Sequence, residues 1–150
     1  MKMRLAFFPL LACLALSAPA YGDDDDDGFK CNPDGNQQEL NTCAYDDWEK
    51  ADEELNAVYK DAVAFAKKED AFFDDNPSMK GALEALKKGQ RAWIDYRDGT
   101  CDLEGFNARG GSMEPLLIFS CQAELTRKRT RELKEIMAWP EELPADEESK

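Results

Sequence analysis

No histidine occurs among the 150 residues, and that absence removes several chemistries at once. Ser-His and Cys-His nucleophile pairs lack their base. The five cysteines include no CxxC pair, so a zinc site has little to draw on either. Positive charge is scarce as well: 19 basic residues stand against 32 acidic ones, a net charge of −13. Nucleic acid is therefore excluded as a natural partner, because its phosphates call for a basic face. Beyond residue 22 no segment approaches the ~18 consecutive apolar residues of a membrane span. No run alternates as a half-buried strand does, and no long internal repeat is visible. Carboxylates abound, yet a glycosidase-like acid and base need a deep cleft holding them ~5 to 9 Å apart. These absences point away from an enzyme and away from any resident cofactor or metal.

What is present begins with "MKMRLAFFPLLACLALSAPAYG", in which Lys2 and Arg4 precede an apolar stretch and then small residues. This is the layout of a secretory signal, read here as residues 1–22, with cleavage after Ala20 or Gly22. A competing reading makes Cys13 of "LLAC" the acylated first residue of a lipoprotein. The apolar run continues through Leu14, Ala15 and Leu16, which favours the plain signal. Loss of Lys2 and Arg4 would take the net charge to −15. Residues 23–35, rich in Asp, Gly and Asn, read as a disordered acidic lead-in. Asp23, Asp25, Asp27, Gly28 and Asp34 match the spacing of an EF-hand loop, but the loop lacks its flanking helices and contains Cys31 and Pro33. Weak cation binding by a solvated Asp run explains it better.

From residue 36 to 138 the chain reads as a helical domain. Asn36 and Glu39 form a capping pair, and Leu40, Ala44, Trp48, Ala51, Leu55, Val58, Ala62 and Phe65 recur at steps of three and four. That predicts one long helix ending near "DDNP". Ser78 is expected to cap a second helix, with Leu83, Leu86, Gln90, Trp93 and Arg97 on one side and Gly99 as its stop. After a loop, "CDLEGFNARGGS", Ser112 should begin a third helix, Pro115 falling in its first turn. Residues 139–150, with two prolines and several acids, read as an acidic tail.

The expected architecture is all-α, a three-helix antiparallel bundle. Removing the signal leaves Cys31, Cys43, Cys101 and Cys121, an even set in a small exported chain, and hence two disulfides. Four cysteines permit three connectivities. The local pairs, Cys31 with Cys43 and Cys101 with Cys121, are preferred because each closes a short loop. In an antiparallel bundle all four cysteines gather at one end, so helix pattern and cysteine positions agree.

The residues in this order resemble the LprI-like lysozyme-inhibitor domain family. The resemblance runs from Cys31 to Leu133 through "CNPDGNQQELNTCAYDDWEKADEELNAVY", "QRAWIDYRDGTC", "GGSMEP" and "CQAELTRKRTREL". It implies a helical, disulfide-bearing domain in the periplasm or secreted, and lysozyme as a target. It transfers no site residues, because the family has no agreed contact set.

Two surface features stand out for binding. Phe106, Asn107, Gly110 and Gly111 lie in a connection tethered by flanking cysteines, and a pinned loop loses less entropy when it docks. Asp46, Asp47, Glu49, Glu53 and Glu54 form an acidic helix face able to steer a cationic protein, although such faces are more often merely solvated. Asp52, Asn56, Gln90, Trp93, Arg97 and Arg129 are read as a structural polar network, in which Gln90 and Arg97 meet Asn56 or Asp52. The alternative is a ligand pocket around Trp93.

Overall fold

The computed structural model describes residues 30–138, so the signal, the Asp run, Cys13 and the acidic tail lie outside the described residues. Three helices make up the described part: α1 (Gln37–Phe72), α2 (Ala82–Gly105) and α3 (Glu114–Met137). No strand occurs among the described residues. Chain reversals place α2 antiparallel to both neighbours, which leaves α1 and α3 parallel to each other.

The first helix starts as its sequence predicts. The Asn36 side chain accepts from the N–H groups of Gln38 and Glu39, and the Glu39 carboxylate accepts from the Asn36 N–H at 2.7 Å. Three backbone donors are thereby satisfied, the cap and Glu39 serving each other reciprocally.

The other helix ends depart from expectation. Ser78 does not cap α2; it sits in a short 3-10 turn, Pro77–Met79, with its hydroxyl on the Asn76 side chain. The acceptor comes instead from the last turn of α1. The Asp70 carboxylate takes the N–H groups of Gly81, Ala82 and Leu83 at 2.7 to 3.1 Å. One side chain thus caps a helix eleven residues on. Gly99 does not end α2 either, since the buried Cys101 and Gly105 carry the inward face a further turn and more. Ser112 precedes α3 by two residues; its carbonyl accepts from the Asn41 side chain of α1 at 2.9 Å. Most of the expected loop is helical, Cys101–Gly105 belonging to α2 and Phe106–Ala108 forming a 3-10 turn.

Those three backbone hydrogen bonds hold the Asp70 carboxyl below its ordinary pKa. A carboxylate depressed in the folded state stabilises above the ordinary carboxylate range and loses that contribution as pH falls through its folded value. Asp70→Asn should therefore lower the thermal midpoint by a few degrees at pH 7. The gap should close in acid, as read from melting curves taken over pH 2 to 7.

The core is built from Leu55, Val58 and Ala62 of α1 and Leu133 of α3, with Tyr59, Leu86, Trp93 and Met137 packed around it. Most of the other buried residues are small: Ala44, Ala51 and Ala66 on α1, Ala123, Thr126 and Thr130 on α3. Small side chains let α1 and α3 approach closely, and this is the most extensive helix contact. Its register is marked by two ion pairs, Asp47 with Arg127 and Glu54 with Lys134. Each step is seven residues on both helices, as two parallel helices in contact require.

Both preferred disulfides are present, Cys31–Cys43 and Cys101–Cys121. They lie at the end where α1 and α3 begin and α2 finishes.

Candidate binding surface

The polar residues along the inner sides of the helices form two separate groups. Arg97 is buried, its guanidinium 5.9 Å from the ring centre of Trp48 and 5.2 Å from that of Trp93. Its Nε donates to Asp98 at 2.8 Å and its Nη1 to Asp52 at 3.4 Å. Asn56 donates to the second oxygen of Asp52 at 2.8 Å. Further along, Arg129 donates to Gln90 at 3.1 Å and to Glu132 at 3.2 Å. Gln90 therefore meets Arg129 of α3, and Arg97 meets Asp52 of α1. The planar fork of Arg97 serves two rings and two carboxylates at once, which a point charge cannot do. Around Trp93 the side chains satisfy one another and pack on the core.

At the disulfide end the chain between α2 and α3 is held by its own bonds. The Glu114 carboxylate accepts from the Gly110 N–H at 2.8 Å and from Arg109 at 2.6 Å, and both hold its pKa down, the backbone bond more strongly. Gly110 has φ +76°, where glycine is the unstrained residue. Asn107 donates to the Glu104 carbonyl, and the Arg109 guanidinium lies 4.6 Å from the ring centre of Phe106. Phe106 itself remains 57% exposed.

Beside Gly110 and Gly111 lies a shallow hollow of about 540 Å³ floored by Pro115, Ile118 and Phe119. Phe119 meets Tyr45 edge-on at 5.1 Å and lies 5.8 Å from Trp48. Those two rings open onto a smaller hollow of about 160 Å³ with Glu49, Asp52 and Glu53 on its rim. The two hollows join through Phe119 into one aromatic surface with carboxylates along its α1 side. Beneath it the Trp48 Nε1–H is buried with no acceptor among the described residues.

The acids of α1 divide by the side of the helix they occupy. Asp47 and Glu54 face α3 and are neutralised by Arg127 and Lys134; the ammonium of Lys134 lowers the Glu54 pKa, and Asp47 raises that of Arg127. Glu49 accepts from the Tyr45 hydroxyl at 2.8 Å, which raises the Tyr45 pKa. Asp46 and Glu53 have no basic partner among the described residues. Sequence spacing groups all these acids on one face and places Trp48 in the core, and nothing in it singles out Tyr45, Ile118 or Phe119. Only their meeting across α1 and α3 distinguishes them from ordinary packing residues.

The family model described as "Lysozyme inhibitor LprI" matches residues 30–133, which takes in all three helices and both disulfides. The chain belongs to the LprI lysozyme inhibitor family. An uncharacterized protein of Rhizobium meliloti (strain 1021) is 51% identical over 136 residues, covering 90% of this chain and 96% of that one. The uncharacterized protein YecT of Escherichia coli (strain K12) is 29% identical over 98 residues, 63% of this chain and 60% of that protein. A crystal structure of a DUF1311 family protein from Pseudomonas putida KT2440 matches with a TM-score of 0.57 at 20% identity, over 73% of this chain and all of that one. That likeness concerns the fold alone. As an LprI-family domain the chain carries disulfides suited to an oxidising compartment. No described helix is long and apolar enough to cross a membrane. No group of three or more metal-ligating side chains occurs among the described residues.

Proposed function

We propose that the protein is an exported inhibitor, periplasmic or secreted, that binds a cationic lysozyme and occludes its substrate cleft without chemistry of its own. One observation carries this reading beyond the family: Glu53, with no basic partner among the described residues, lies on the rim of an exposed aromatic hollow, Asp46, equally unpaired there, lies close to Tyr45 at its edge, and Cys101–Cys121 fastens the helix that carries Phe119 to α2. Carboxylates at the rim steer a basic enzyme toward the surface, and the aromatic centre supplies contact area. Rigidity lowers the ordering cost of docking. The first residues support export, and the paired cysteines favour it as well.

The test is a turbidity assay of peptidoglycan lysis at low and high salt. Inhibition at micromolar protein is expected, weakening as salt rises. The double variant Asp46→Lys, Glu53→Lys should weaken inhibition about tenfold or more at low salt, mainly through slower association. Reversal at Asp47 and Glu54 would instead disturb the α1–α3 contact, so its effect should appear in melting temperature. No inhibition at micromolar protein removes the lysozyme reading and leaves an interaction module of the cell envelope. Inhibition indifferent to salt removes the charge mechanism.

A further inference from the structure

The outer side of α2 carries a second ordered pattern that the fold leaves largely unused, Ala85 at its start also lining a groove beside Ala62 and Leu133. Ala85, Gly89, Ala92, Tyr96, Gly99 and Leu103 follow steps of four, three, four, three and four, and every one of them is exposed. This is the spacing of a helix seam awaiting a partner. Tyr96 is 59% exposed and Leu103 71%. The two glycines weaken the helix, and nothing inside the molecule asks for them. A Cβ on Gly99 would meet no atom within 4 Å, and one on Gly89 would only touch Arg129 at 3.9 Å. Their use is external, as places where another backbone or a bulky side chain can come close.

Two gradients run along this face. The N-terminal half of the face holds only small residues, Ala85, Gly89 and Ala92, whereas the large ones, Tyr96, Leu103 and then Phe106, all fall in the C-terminal half, with Gly99 between them. Charge is divided the same way. Lys88 and Arg91 lie in the first half and Asp95 and Asp102 in the second, none of them paired among the described residues. That order opposes the helix dipole, which favours acids at the N-terminus and bases at the C-terminus. A second α2 laid antiparallel resolves both mismatches. It sets Leu103 of one copy over Gly89 of the other, and the basic half of one against the acidic half of the other.

We propose that the outer face of α2 is a self-association surface on which two copies of this chain pair antiparallel about a two-fold axis. A two-fold interface must be complementary to itself, and here size and charge are each reversed end to end along one helix. The surface lies on α2, whereas the lysozyme-facing hollow is formed by α1 and α3, so the dimer would present two hollows. This inference stands apart from the inhibitor reading.

Sedimentation equilibrium of the full chain, purified from an exporting host with both disulfides formed, tests it across micromolar concentrations. A dimer is expected. Leu103→Glu should weaken dimerisation by about tenfold or more while leaving the melting curve of the monomer unchanged, since the side chain is exposed. Lys88→Glu should weaken it too, and Lys88→Glu combined with Asp102→Lys should restore it, because the pairs exchange sign across the axis. A monomer at every concentration overturns the proposal, and so does a dimer indifferent to Leu103→Glu. Failure of the double variant to restore association overturns the antiparallel arrangement.

Discussion

Replacing Cys101 and Cys121 together by alanine is expected to lower stability by about 3 kcal/mol, the chain-entropy value for a loop of this length. The bond spans 20 residues and joins the last turns of α2 to the start of α3. Cys101 is fully buried and Cys121 nearly so, so loss of packing adds to the entropic cost. A domain whose core is rich in alanine and threonine has little surplus to absorb this. Urea unfolding of the wild type and the double variant measures the difference directly. Removal of Cys31–Cys43 should cost clearly less. Cys31 is exposed and precedes α1, so its release frees only the lead-in and leaves the three helices joined. Equal losses from the two bonds would contradict this ordering.

Arg97→Ala is the second large effect, expected at about 3 kcal/mol. Each of its two ring contacts is worth roughly 1 kcal/mol in a partly desolvated setting. Its ion pairs count for less, because the side chains of Asp52 and Asp98 keep 35% and 46% of their exposure. The remainder is the buried stem, whose methylenes lose their packing when truncated. Arg97→Met keeps that stem and should recover about 1 kcal/mol of the loss. Arg97→Lys keeps the charge but cannot span both rings and both carboxylates, so it should fall between alanine and wild type. Urea unfolding gives the energies, and near-ultraviolet circular dichroism reports the two tryptophans. If methionine proves no better than alanine, the guanidinium rather than its stem holds the three helices in place.

Much of the architecture was legible before any coordinates, for physical reasons that differ by element. Asn36 and Glu39 cap their own helix within three residues, so the start of α1 could be read locally. The apolar spacing through Leu55, Val58 and Ala62 identified the buried side of α1 because a helix repeats every 3.6 residues. Local signals failed wherever a distant group took over the role. Ser78 looked like a cap, but Asp70 satisfies the donors of α2 from the neighbouring helix. Gly99 looked like a stop, but the inward residues beyond it, Cys101 and Gly105, keep α2 going. Ser112 looked like a start, but its carbonyl is used by Asn41.

By itself the amino-acid order determined that this is an acidic, histidine-free helical chain with four paired cysteines, because composition, helical period and short loop closures are local quantities. Tertiary structure decided which carboxylates remain free. Asp46 and Asp47 are neighbours in the chain, yet a 100° turn of the helix brings only the second to Arg127. It also decided that Tyr45, Trp48 and Phe119 share one surface, since residues more than seventy apart meet only when α1 and α3 lie side by side.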